Sequence, residues 1–126
     1  MKLRSIAAVF ALAAFLAPAA LLAQGHAHKG KNGGQMEDAG SYHVEAVAKD
    51  TTLTVHLTDH DSDKAVATAG FKGLAILVVD GKSQRITLAP QGENLLVGTS
   101  TAPLKTPIRG AIQITNSKNA TVQAKF

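Results

Sequence analysis

The chain of 126 residues carries 13 Lys and Arg against 9 Asp and Glu, with 5 His and no Cys. Without cysteine it can have no disulfide, thiolate metal ligand, thiol nucleophile or lipidated N-terminal cysteine. Its formal charge of +4 is spread without a cationic run, which reads as a solvated surface and excludes a nucleic-acid patch.

Lys2 and Arg4 open the chain, an apolar stretch rich in Ala, Leu and Phe follows over residues 6–17, and Pro18 leads into small residues ending at Ala23. A cationic start, a short apolar core and a small-residue exit are the signature of a cleaved secretory signal. Read as far as Leu22, the apolar stretch only reaches the lower limit of about 17 residues for a membrane span. Pro18 also weakens a helix there. The expectation is a signal peptide over residues 1–23, cut after Ala23 or, as an alternative, after Ala27. The mature protein would be periplasmic or secreted, with no membrane segment. About 100 residues would remain, with a net charge near +2, enough for one domain with a modest core.

Residues 24–40 hold five Gly and almost no apolar side chain, so they are expected to form a flexible lead that cannot order itself alone. Period-two alternation begins at Tyr42. Tyr42, Val44, Ala46 and Ala48 alternate with His43, Glu45, Val47 and Lys49, and Leu53, Val55 and Leu57 alternate with Thr52, Thr54, His56 and Thr58. Both segments read as half-buried strands joined by a tight turn at Asp50-Thr51. Residues 59–70 form a polar loop, with a possible short strand over 65–67. Residues 74–79 are apolar on both faces, as in a central strand, and Asp80-Gly81 is a hairpin turn whose two residues need positive φ. Ile86 and Leu88 lie on the returning strand, Pro90-Gln91-Gly92 is a turn, and 95–97 is a short strand. Ile108, Ile112 and Ile114, then Val122, Ala124 and Phe126, supply the last two alternating segments.

About seven short strands with turn signals every 8–12 residues predict an all-β, Ig-like antiparallel β-sandwich over residues 41–126. A small closed barrel is the alternative.

All five His lie between positions 26 and 60. A cut after Ala23 would expose Gln24-Gly25-His26, whose amine, two backbone amides and imidazole form a square-planar nitrogen set suited to Cu(II) or Ni(II). His28 would lie beside it, and cyclisation of Gln24 would remove the amine. The first hairpin offers a second set. Burying both apolar rows on one side fixes its register, because a one-residue slip would expose one of them. Lys49 then pairs with Thr52, Val47 with Thr54, Glu45 with His56, and His43 with Thr58. If the strand extends, His60 meets Ser41. His43, Glu45, His56 and His60 would therefore share the polar face, close enough for several imidazoles to converge on Zn(II) or Cu(II). The same residues on a merely wet face need no metal.

Asp59-His60-Asp61-Ser62-Asp63 has the opening spacing of a calcium loop. Lys64 stands where that loop needs Gly, and Gly70 where it needs Glu, so it reads as an acidic turn able to lend Asp59 or Asp61 to a His site. Met36 either ligates Cu(I) through its thioether or begins the core. No nucleophile or acid–base constellation points to an enzyme.

The stretch Asn32-Gly33-Gly34-Gln35-Met36, followed by Ala39-Gly40-Ser41-Tyr42-His43-Val44-Glu45, resembles small periplasmic domains found alone or near the N-terminus of heavy-metal efflux adaptor proteins. The resemblance implies a β-sandwich accessory module handling Cu, Zn or similar cations, with His43 and Glu45 as site residues and an efflux adaptor or other envelope protein as partner. It departs at Asn32, where the pattern has His, and Asn is not a strong metal ligand. The expected function is transition-metal binding for storage, sensing or hand-off. The alternative is a metal-free interaction module contacting a protein or an envelope polymer.

Overall fold

The computed structural model describes residues 28–126. The expected signal peptide, its cleavage sites and His26 lie outside the described residues. Nine strands follow one another: β1 (His28–Lys29), β2 (Gln35–Ala39), β3 (Tyr42–Lys49), β4 (Thr52–Asp59), β5 (Lys72–Val79), β6 (Lys82–Gln91), β7 (Leu95–Thr99), β8 (Gly110–Thr115) and β9 (Thr121–Lys125). Among the described residues there is no helix.

The β3–β4 hairpin has the register that its apolar rows demand. Val44 faces Leu57, Ala46 faces Val55, Ala48 faces Leu53, and Lys49 meets Thr52 across a turn in which Asp50 has φ 53°. Val44, Ala46, Leu53, Val55 and Leu57 are all buried. Asp80 and Gly81 have φ of 51° and 76° and join β5 to β6, as the hairpin signal requires.

The strands pair antiparallel in the order β1-β2-β3-β4-β7-β6-β5-β8-β9. β6 links the two halves of the sheet. Its first part pairs with β5 as far as Leu88, and residues 89–91 pair with β7. The all-β, antiparallel class is as expected, but in place of a seven-stranded sandwich of two sheets the chain forms one continuous nine-stranded sheet that curls around its core. Pro90 lies within β6, and the turn comes after it, at Gly92 with φ 65°. Proline is tolerated there because β5 pairing has already ended, leaving Pro90 a neighbour on one side only.

Curling brings the first strands back against the last. The Gln35 side chain bridges them: its Nε2 donates to the Ile108 carbonyl at 3.2 Å, and the Ile108 N–H donates to its Oε1 at 2.5 Å. One amide thereby substitutes for a rung of backbone pairing. The core inside the curl includes Leu53, Leu57, Leu77, Ile86, Leu88, Leu96, Ile112 and Ile114. β5 lies between β6 and β8, as a central strand should, but only one of its faces is fully covered. Leu74 and Ile76 are half-buried and Val78 is 52% exposed.

The expected flexible lead is ordered from His28 onward. β2 pairs with β3 from Gln35↔Ala46 to Ala39↔Tyr42, and β1 pairs with β2. Backbone pairing and the Gln35 bridge supply the order that the polar sequence could not supply by apolar burial. Gln35→Ala is expected to lower unfolding free energy by about 1–3 kcal/mol, since it leaves the Ile108 amide and carbonyl without their partner. Exposed Gln123→Ala should change it by less than about 0.5 kcal/mol. Urea denaturation of both variants checks this.

Candidate metal centre

β2, β3 and β4 present a polar outer face. On it, two rows of side chains run across the strands. One follows the pairings Asp38↔His43 and His43↔Thr58, and the other Met36↔Glu45 and Glu45↔His56. His60 lies one residue beyond β4, and its N–H donates to the Ser41 carbonyl at 2.8 Å, which continues the ladder as the register predicts.

The loop after β4 is built on Asp59. Its Oδ1 accepts from the Ser62 N–H at 2.9 Å, the Ser62 hydroxyl at 3.0 Å and the Asp61 N–H at 3.1 Å. The Ser62 N–H, then its hydroxyl, hold the Asp59 carboxyl below its ordinary pKa. Asp59 is therefore consumed in shaping the turn. The chain reverses with Asp63 at φ 57°, which swings Asp63 back toward β3.

Asp38, His43 and His60 converge, each offering a ligand atom within 4.8 Å of the others, so the group can hold a metal ion. Asp38 is at the centre. Its Oδ1 lies 2.6 Å from His43 Nδ1, and its Oδ2 lies 3.6 Å from His60 Nε2. The two imidazoles are 4.7 Å apart at an interplanar angle of 32°. Each directs its other nitrogen to an outer carboxylate, His43 Nε2 to Asp63 Oδ1 and His60 Nδ1 to Asp61 Oδ1, both at 3.4 Å. Of these two outer contacts only His60 with Asp61 has hydrogen-bond geometry; the short hydrogen bond of His43 is the one to Asp38.

Of the sequence-predicted residues, His43 and His60 meet. Glu45 does not join them. Its carboxylate accepts the Asn32 N–H at 2.6 and 3.1 Å and the Asn32 side-chain amide at 3.1 Å, and the residue is only 4% exposed. The turn over residues 30–34 lies directly on it. A Cβ on Gly30 would come within 2.0 Å of the Glu45 carboxyl, and one on Gly34 within 2.4 Å of the Ala46 carbonyl, so neither position admits a side chain as the turn stands. His56 faces Glu45 in register and lines a separate cavity with it. His28, on β1, lines a different cleft with Gln35, Ala46 and Val47. Its charge acts on Glu37, whose carboxyl is pushed up by desolvation and by Asp38 and drawn down by His28.

Asp38 and Asp63 are the members that periodicity did not supply. Asp38 becomes legible once Gly40-Ser41 is read as a tight turn, because Ala39↔Tyr42 pairing then sets Asp38 opposite His43. No protein-family model, curated protein or solved structure matches the chain.

Glu45→Ala should cost about 1–3 kcal/mol, because the Asn32 donors lose their acceptor under a covering turn. Gly34→Ala should dislodge the same turn by collision with the Ala46 carbonyl. Hydrogen exchange is the readout: in both variants, amides of residues 28–36 should lose protection while those of β5 and β6 keep it.

Proposed function

We propose that this chain is an exported transition-metal-binding protein, a small sandwich-like accessory module of the cell envelope that holds Zn(II) or Cu(II), with Ni(II) as a weaker candidate, at Asp38, His43 and His60. The observation that carries the reading is the convergence of those three side chains, each imidazole backed by its own carboxylate. Asp38 and the two His would ligate the ion. Asp61 would fix the His60 ring. A mixed imidazole and carboxylate set suits borderline divalent ions.

The exposure of the site supports a carrier in preference to a permanent structural centre. The His60 side chain is 46% exposed and that of Asp38 62%, so a bound ion would stay within reach of water and of an incoming ligand. The signal-like N-terminus and the resemblance to domains of heavy-metal efflux adaptors support periplasmic storage, sensing or hand-off, with an efflux adaptor or another envelope protein as recipient. If export exposes Gln24-Gly25-His26, that segment would be a capture arm. The protein is read as a binder and not an enzyme.

A second reading has one observation behind it. The outward side of β5 carries half-buried Leu74 and Ile76 and exposed Val78, an apolar strip suited to protein contact. In that reading the His residues are incidental.

Calorimetric titration of Zn(II), Cu(II) and Ni(II) separates the two. Micromolar or tighter Zn(II) binding is expected, weakened at least tenfold by His43→Ala, His60→Ala or Asp38→Ala and unchanged by His28→Ala, while Cu(II) or Ni(II) binding that survives these variants and is lost in His26→Ala belongs to the N-terminal arm. Affinity should fall in acid, where protons compete for imidazole nitrogens. Dissociation constants no tighter than about millimolar for all three ions would sink the metal reading and favour the interaction module.

A further inference from the structure

The same face holds a second group of potential ligands that the cluster at Asp38 does not use. Met36, Glu45 and His56 stand in one cross-strand row on three successive strands. All three line a cavity of about 320 Å³ that is bounded by the 30–34 turn and also lined by Thr58 and Asp63. Met36 and His56 flank Glu45 at two strand spacings, about 10 Å between backbones. Because both side chains line the same cavity, a thioether and an imidazole open onto one enclosed space.

Charge supplies the second argument. Glu45 is 4% exposed, and among the described residues no Lys or Arg nitrogen comes within 4 Å of its carboxylate. Asn32 satisfies its hydrogen bonds but brings no positive charge. Buried charges are ordinarily paired or bound to metal. Lys29 and Lys31 also line the cavity, but both are exposed, with their ammonium groups free to remain in water at its mouth.

We propose that this cavity is a second cation site, selective for a soft monovalent ion, Cu(I), held by the Met36 thioether and the His56 imidazole, with the buried Glu45 carboxylate as the nearby counter-charge. Thioether with imidazole selects Cu(I) over the divalent ions that suit the outer cluster. Asp63 joins the two sites, since it lines this cavity and also lies 3.4 Å from His43 Nε2. The inner site stands on its own observations and does not require the outer one to bind.

Ag(I), a redox-inert substitute for Cu(I), is the probe, applied to the full chain as exported and purified from a native-like host. Apart from Met1, Met36 is the only methionine, so ¹³C-methyl labelling reports on it without ambiguity. One equivalent of Ag(I) is expected to shift the Met36 methyl and the His56 ring resonances. Met36→Leu, which conserves volume and should fold, is expected to weaken Ag(I) binding at least tenfold and to leave Zn(II) affinity unchanged. His56→Gln should do the same. An unmoved Met36 methyl, or equal Ag(I) affinity in Met36→Leu and the wild type, would overturn the proposal even if Zn(II) still binds at Asp38, His43 and His60. Retained Ag(I) binding with no Zn(II) binding would uphold the inner site and remove the outer one.

Discussion

Val44, Ala46 and Ala48 on one strand, and Leu53, Val55 and Leu57 on the next, can be buried together only if they share a face of the β3–β4 hairpin. A slip of one residue would turn one whole row to water. At roughly 25 cal/mol per Å² of apolar surface, exposing three such side chains costs more than any single hydrogen bond in the hairpin could recover. The remaining geometry follows from this. His43, Glu45, His56 and Thr58 are driven to the outer face, β7 pairs with the free edge of β4, and β2 pairs with the free edge of β3.

An outer face of this kind would ordinarily be wet, and the 30–34 turn makes part of it an interior. Removing a carboxylate from water costs several kcal/mol unless donors replace the lost solvent. Asn32 supplies them from both its backbone and its side chain. The consequence is a division of labour on one surface. Glu45 is fixed under a turn and anchors the N-terminal strands, while Asp38, two strands from β4, stays at the surface and draws the imidazoles of His43 and His60 together. Among the described residues no buried side-chain nitrogen or oxygen lacks a hydrogen-bond partner, so the turn covers Glu45 without leaving a defect behind.

The hairpin register was legible because both strands alternate over eight residues and their turn is short. Asp80-Gly81 was legible because the chemistry of positive φ is local. β2 was not. Gln35, Met36, Glu37 and Asp38 are polar or flexible on both faces, and what orders them is pairing to β3 together with an amide bridge to Ile108, 73 residues away. The fate of Glu45 was hidden for a related reason. Alternation assigns a side chain to a face but cannot say whether a distant turn will cover that face. Asp63 was hidden because its approach to His43 depends on a left-handed backbone residue in a loop, which no period encodes. The all-β class and the antiparallel pairing followed from spacing. The single curled sheet did not, because it turns on β6 serving two neighbours in succession.

The position of the His–Asp cluster fits the stiffness of its supports. Asp38 and His43 sit on paired strands, and their distance is set by the β2–β3 ladder. His60 is tied to Ser41 by a further rung of the β3–β4 ladder, and Asp61 and Asp63 sit on the loop that follows, braced by Asp59. In the proposed site all three ligand atoms therefore stand near one another before any ion arrives, which lowers the ordering cost of binding, while the exposure of Asp38 and His60 leaves a bound ion open to a competing ligand.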